Sequence, residues 1–382
     1  MAAVEQGIPR PRNKDVCLGP HAACSKQITM HYSFDFAQQL QFPNDPLQPG
    51  AVYFKSLRKC GLFGVSCEAL SKQVNYLIDE SVACGKGANT VISLIDHFLD
   101  VYGLGEVDLH LHADNCSGQN KNSAMLHYLL WRVLQGLNQS ITLSFLIAGH
   151  TKFAPDRGFG LIKRVYRKTK VDCLEDIKKV VEVSSDMNEC QLVGHEDGEV
   201  IVQTHDWTDF CMKSFKKLDG ILQFQHFRFT KEGVVYAKMT CDGEESAFPL
   251  LKKGVKLPLP NEKPPVIKPP GLPLARQWYL FDEIRQFVSP EYQDTVAPKP
   301  TAAKASNRGP STEDTENHPS DAGHAAGATA TKVRGRGRGR GAAKKVLEIQ
   351  EPNIEPQAMP EKPKRGRGGA RGARRGRGRG KE

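Results

Sequence analysis

No two of the ten cysteines form a C-x-x-C pair, and no secretory leader precedes them. Without either feature the thiols read as reduced side chains, not as a disulfide framework. No apolar run approaches the ~20 residues that span a bilayer; the best candidate, Ile141 to Gly149, is far too short. Met1 to Asp15 is polar and lacks the apolar centre of a signal peptide. The reading is therefore of a protein with no membrane partner. Phe, Tyr and Trp are missing altogether from Asp294 to Glu382, a segment with 20 Lys and Arg against 10 Asp and Glu. Its net +10 equals that of the whole chain, so the remainder balances at 33 residues of each sign. A segment of Ala, Gly, Pro, Arg and Lys buries too little apolar surface to offset its ordering entropy, and 294–382 is expected to be disordered.

Ahead of that tail the hydrophobic period switches between 2 and 3.6 at clear boundaries. From Ile28 to Phe36 the sequence alternates, with Ile28, Met30, Tyr32, Phe34 and Phe36 on one face and Thr29, His31, Ser33 and Asp35 on the other. This predicts a half-buried strand. Short strand-like runs follow at Ala51 to Phe54 and Leu62 to Cys67. Val91, Leu94, Ile95, Phe98 and Leu99 then recur at helical spacing, in a helix ending near Gly103. A second alternating strand runs from Val107 to Asp114, a helix carries Leu126, Leu129, Leu130, Val133 and Leu134, and a further strand covers Ile141 to Ala148. A basic helix follows over Gly160 to Lys170. The order strand, strand, strand, helix, strand, helix, strand, helix is that of a ribonuclease H-like α/β fold with a mixed five-stranded sheet and flanking helices.

The expected organisation is an N-terminal segment (1–26), the ribonuclease H-like domain (27–172), a small α+β extension (173–250), a proline-rich linker (251–274), a docking helix (275–293) and the tail. Strands of the extension are expected near Glu199 to Gln203, Ile221 to Phe229 and Val234 to Met239. The docking helix would turn Trp278, Leu280, Phe281, Ile284 and Phe287 towards the core.

In a fold of this order, acidic residues from the first strand, the fourth strand and the region after the fifth converge at one sheet edge. Asp35, Asp114 and Asp156 occupy those places. Carboxylate oxygens suit Mg²⁺ or Mn²⁺, and two such ions ~3.5 to 4 Å apart activate a water and stabilise the leaving oxygen of a phosphodiester. The three aspartates are thus the candidate metal ligands and catalytic groups, with His150 a candidate for orienting the water or a phosphate oxygen. Asn120 and Lys121, just ahead of a helix N-terminus, are candidate phosphate contacts; the competing reading is a polar turn in which Asn122 or Ser123 caps the helix. Lys163 and Arg164 on the basic helix are candidate backbone contacts. The Gly85-Lys86-Gly87 run lacks the spacing of a P-loop and reads as a turn.

Three strings, HYSFDFAQQ at 31–39, HADNCSGQNKN at 112–122 and GHTKFAPDRGFG at 149–160, resemble the domain of unknown function 7869 family. The resemblance covers roughly residues 24–290. It implies similarity to transposon-derived, ribonuclease H-like domains of transposase type. A rival reading rests on His110, His112, Asp114 and Asn115, which nearly match the H-x-H-x-D-H of metallo-β-lactamase-like hydrolases, with His150, Asp172 and His195 completing a zinc set. Asn115 stands where that motif needs a histidine.

The tail places arginines at nearly every second residue, at Arg334, Arg336, Arg338 and Arg340 and again at Arg365, Arg367, Arg375, Arg377 and Arg379. Such a segment resembles an RGG-type nucleic-acid-binding tail, whose phosphate contacts release counterions and weaken steeply with salt. Lys362 to Arg365 has the character of a nuclear import signal, which points to a nuclear and also cytoplasmic protein. The sequence leaves two functions open: metal-dependent cleavage or transfer of DNA or RNA, and a catalytically inactive nucleic-acid binder derived from the same source.

Overall fold

The computed structural model of the protein describes residues 18–47, 50–147, 153–258 and 262–304. Its centre is strand β1 (Lys26–Phe36), which pairs antiparallel with β3 (Arg58–Cys67) and parallel with β5 (Glu106–Ala113). Outward from β3 lie β4 (Lys72–Asp79), antiparallel, and β7 (Asn188–Leu192), parallel to β4. Outward from β5 lie β6 (Ser140–Phe145), parallel, then β9 (His226–Phe229), β10 (Val234–Lys238) and β11 (Ser246–Pro249), each antiparallel to its neighbour. With β2 (Leu40–Phe42) paired to β3, the mixed sheet has ten strands among the described residues. It is wider than the five expected because residues 173–250 add strands to both edges of the same sheet.

Helices α1 (Ala88–Val101), α2 (Ser123–Leu134) and α5 (Trp207–Met212) share one core with the face that carries Tyr32, Phe34, Val65, Val74, Leu109, Leu111, Ile141 and Leu143. Trp131 and Trp207 meet edge to face there, ring centroids 5.2 Å apart. Helices α3 (Ala154–Tyr166) and α4 (Leu174–Ser184) lie on the other face, over β1, β3, β4 and β7, with Phe159, Ile162, Ile177 and Val181 in one cluster with Leu40, Leu62 and Leu77. Gly64 permits this close approach, since a Cβ on it would stand 2.7 Å from the Phe159 ring.

Several sequence expectations change in detail. The stretch 51–54 is part of a 3-10 turn (Gly50–Phe54), and the third strand of the series is β4. Its pattern is obscured by Gln73 and Asn75, which are wholly buried: Gln73 donates to Asn75, and Asn75 donates to Asn188. β1 is buried on both faces over Met30 to Phe34, because strands flank it on either side and helix α3 crosses its polar face. Residues 199–203 form no strand, only a bridge from Val200 to Gly194. The proline-rich stretch runs as a strap: β12 (Val266–Ile267) pairs with β8 (Thr204–His205), and Lys263 binds Asp96 and Asp100. The docking helix is broken into α6 (Leu274–Tyr279), a π turn (Leu280–Ile284) and a 3-10 turn, yet Leu280 and Ile284 do bury against Val52 and Leu57.

Residues 294–304, assigned by composition to the tail, are part of the fold. Val296 lies in α7 (Gln293–Val296) and is fully buried, and Trp278 donates to the Ala302 carbonyl at 3.1 Å. They are held by Arg58, which is 1% exposed. Its guanidinium binds both oxygens of buried Asp79 at 3.0 and 2.7 Å, and also the carbonyls of Val296 (2.6 Å) and Glu196 (2.7 Å). Removing one partner of such a pair strands the other charge in the interior. Arg58→Ala is expected to lower unfolding free energy by about 3–5 kcal/mol, read from urea denaturation; a loss below about 1 kcal/mol would show that the cluster does not hold the C-terminal segment.

Candidate functional site

The chain direction of β1, β5 and β6 brings their C-terminal ends to one sheet edge. Ser33 pairs with His112, so Asp35, two residues on, lies level with Asp114, the first residue past β5. Both belong to the face opposite the large helical core, since their neighbours Phe34 and Ala113 point into that core. Asp156 enters from the first turn of α3, where its carboxylate accepts the Phe153 N–H at 3.0 Å.

The carboxylates act on one another. Burial pushes the Asp35 carboxyl up to about 7, and the Asp114 and Asp156 charges push the same way; the Phe36 N–H, donating to its Oδ1 at 2.7 Å, and the Lys86 ammonium oppose them. Among the described residues, however, no three His, Cys, Asp or Glu side chains are gathered closely enough to hold a metal ion. Bare carboxylates repel, and Asp156 is tied to its own helix end, so the three share an electrostatic neighbourhood without converging on one point. Asp35 Oδ2 and Asp114 Oδ2 accept no hydrogen bond from described residues.

The turn after β5 is wired to fix Asp114. Its Oδ1 accepts from the Cys116 N–H at 3.1 Å and from Asn120 Nδ2 at 2.6 Å. The Cys116 carbonyl accepts the N–H groups of Gln119, Asn120 and Lys121, and Asn122 caps α2 by accepting from Met125 at 3.0 Å. This corrects two phosphate candidates. Lys121 is 2% exposed, and its ammonium donates to Asn115 Oδ1 (2.9 Å) and the Leu222 carbonyl (3.1 Å), with burial lowering its pKa. Asn120 is equally buried and faces Asp114. The Lys121 ammonium and the Asn120 amide nitrogen are engaged inside the protein and both side chains are buried, so neither is presented to a phosphate in solvent.

Lys86 is the cation that sequence reading passed over. Exposed between two glycines, it lies 5.0 Å over the Phe36 ring, beside Asp35. A lysine flanked by glycines just before a helix was the available signal, but only the meeting of the β4–α1 loop with the end of β1 gives it a place. Along α3, Arg157 and Arg164 are exposed and Lys163 is half-exposed, continued by exposed Arg167 and Lys168. Among the described residues none of the five forms a salt bridge. His150 and the tail arginines lie outside the described residues.

Among the described residues the zinc set is not assembled. Asp172 accepts from Ser289 N–H and Oγ at 3.0 and 2.8 Å and pairs with Lys170. His110 and His112 instead pack on His31, with ring centroids 4.6 and 5.8 Å away, and burial lowers the pKa of all three imidazoles.

The site's backbone, from β3 through the Asp114 turn to β10, coincides with a recognised domain. Residues 59–243 match the family described as Domain of unknown function (DUF7869). No curated protein and no solved structure matches the chain. The DUF7869 match takes in Asp114, Asn120, Lys121 and Asp156 and leaves Asp35 outside, as it begins after β1. No described helix is long and apolar enough to cross a membrane.

A carboxyl whose pKa is raised on folding stabilises the fold below its unfolded value near 3.8, and that contribution is lost as pH rises through about 7. Asp35→Asn is therefore expected to gain stability relative to the wild type from pH 4 to pH 8, measured by urea denaturation across that range. Parallel pH profiles for the two proteins would refute the coupling.

Proposed function

We propose that the chain is a transposon-derived, ribonuclease H-like protein that cleaves or transfers phosphodiester bonds of DNA or RNA with Mg²⁺ or Mn²⁺. The observation that carries this reading is the level placement of Asp35 and Asp114 at the ends of adjacent parallel strands, with Asp156 in electrostatic reach. The inner strand order β4-β3-β1-β5-β6, with only the β1–β5 and β5–β6 pairs parallel, agrees with a ribonuclease H-like core.

The donor set fits a hard divalent ion: carboxylate oxygens in no salt bridge with a described residue, one of them costly to ionise even with Lys86 nearby. Asp35 and Asp114 would hold the ion, and Asp156 would add negative charge nearby. When bound, such an ion supplies an activated water and neutralises charge on the phosphate. The chain's own residues do the rest. Near neutral pH Asp35 carries a proton part of the time and releases it as a cation binds, so ion affinity should rise with pH through about 7. The exposed row from Arg157 to Lys168 offers a track for the phosphodiester backbone leading to Asp156. Lys86 stands where a scissile phosphate would need a second positive charge. The same basic row favours a second reading, a nuclear nucleic-acid binder without catalysis.

Purified protein, labelled DNA and RNA, and Mg²⁺ or Mn²⁺ separate the two readings. Asp114→Asn is expected to lower cleavage about 100-fold or more while leaving binding within a few-fold; equal behaviour of variant and wild type leaves the binder alone. Truncation after residue 304, which spares the buried Val296 segment, is expected to weaken low-salt nucleic-acid binding and to flatten its salt dependence. Unchanged affinity would remove the tail from the function.

A further inference from the structure

We infer that Cys241 and His226 form a thiol–imidazole pair that reacts with small-molecule disulfides and takes up a mixed disulfide on Cys241. The inference is independent of the phosphodiester reading, since it uses none of the residues assigned there.

Strand register places the pair. β6, β9 and β10 lie side by side, with Ser144 level with His226 and His226 level with Lys238. Their chain neighbours Leu143, Phe227 and Ala237 point into the large core, so alternation puts these three polar side chains together on the opposite face. The chain leaves β10 at Lys238 and turns back into β11, and that turn brings the Cys241 Sγ to 3.2 Å from His226 Nε2. The other ring nitrogen, Nδ1, lies 2.9 Å from Ser144 Oγ. Ser144 Oγ can take the Nδ1 proton, which leaves the Nε2 lone pair facing the thiol. A nucleophile, a base and a third group that orients the base thus stand in one hydrogen-bonded row.

Access and protonation single out the same thiol. Cys241 is exposed beside a hollow of about 230 Å³ that Thr142, Arg228, Tyr236 and Lys238 also line. Burial, by contrast, pushes Cys67, Cys190 and Cys211 up to about 12 and Cys173 up to about 11, which keeps those side chains as inert thiols. Burial and then the Lys238 ammonium hold the His226 imidazole below its usual value, so near neutral pH it is an unprotonated base. The other charged or titratable groups around it are Arg228, bound to Glu245 at 2.6 Å, and His112 on β5. In the reaction His226 Nε2 accepts the Sγ proton and the Cys241 sulfur attacks one sulfur of the disulfide. The new S–S bond forms as the old one breaks, and the leaving thiolate takes the proton from His226. Cys241 is oxidised and the departing sulfur is reduced, so the disulfide itself is the oxidant.

Glutathione disulfide added to the full-length protein at pH 7 tests this, with the mixed disulfide followed by intact-mass spectrometry. Cys241→Ser is expected to abolish the modification and His226→Gln to slow it about 10-fold or more, with thermal melts reporting the folding of each variant. A second readout uses the wild type alone. An unassisted thiol keeps speeding up until pH reaches its own value near ~8.5, whereas the wild-type rate is expected to level off above about pH 6.5, once His226 has lost its proton. The assignment is overturned by a wild type that takes up no glutathione or by modification that persists in Cys241→Ser. It is overturned equally by a folded His226→Gln protein that reacts as fast as the wild type. Should His226→Gln fail to fold, the pH profile decides, and a wild-type rate that climbs about tenfold per pH unit between 6.5 and 8 shows a thiol without a base.

Discussion

Two carboxylates distant in the chain are forced together because β1 and β5 pair in parallel with Ser33 level with His112. The backbone ladder makes this inescapable: slipping the register by one residue would turn every core-facing side chain of β1 to the opposite face. The repulsion between Asp35 and Asp114 is thus maintained by the burial of Tyr32, Phe34, Leu109 and Leu111, residues that have no part in the site. An interior of this size can hold such unfavourable charge, and the site's affinity for cations follows from charge left uncompensated.

Around that pair the architecture divides its labour. The large helical core on one face is apolar and aromatic. On the other face α3 and α4 cover the half of the sheet from β1 to β7, and the strands beyond β1 present His110, His112, Thr142 and Ser144. Because α3 begins at the sheet edge, its first turn brings Asp156 to the carboxylates and its exposed side presents a run of arginine and lysine. Under the proposed function, one helix both completes the acidic neighbourhood and leads a polyanion to it. The buried Arg58–Asp79 pair serves the N-terminal end of β3, stitching in the segment that precedes the basic tail.

Much of the arrangement was legible locally. Alternation in β1 and β5 and helical spacing in α1 and α2 mark the faces that meet the large apolar core, and that period is written into the sequence even where, as in β1, the polar face is buried too. β4 was hidden because it buries Gln73 and Asn75, polar residues linked to each other and, through Asn75, to the distant Asn188. The segment 294–304 was hidden because composition cannot register a carbonyl bound to a guanidinium contributed by β3. Asp114 and Asp35 could be placed at strand ends, yet the fate of Lys121 could not, since its partners Leu222 and Gln225 lie far along the chain.

By itself the sequence determined the alternation of strands and helices, the sidedness of β1 and β5, and the segregation of surplus positive charge into an aromatic-free end. Each of these depends on residue type and spacing along the chain. Only the tertiary structure decided which polar groups are exposed and which are consumed, that residues 173–250 widen one sheet, and that Lys86 and Asn120 stand beside the carboxylates. Those outcomes depend on which distant donor and acceptor happen to meet, a matter of three-dimensional neighbours on which local pattern is silent.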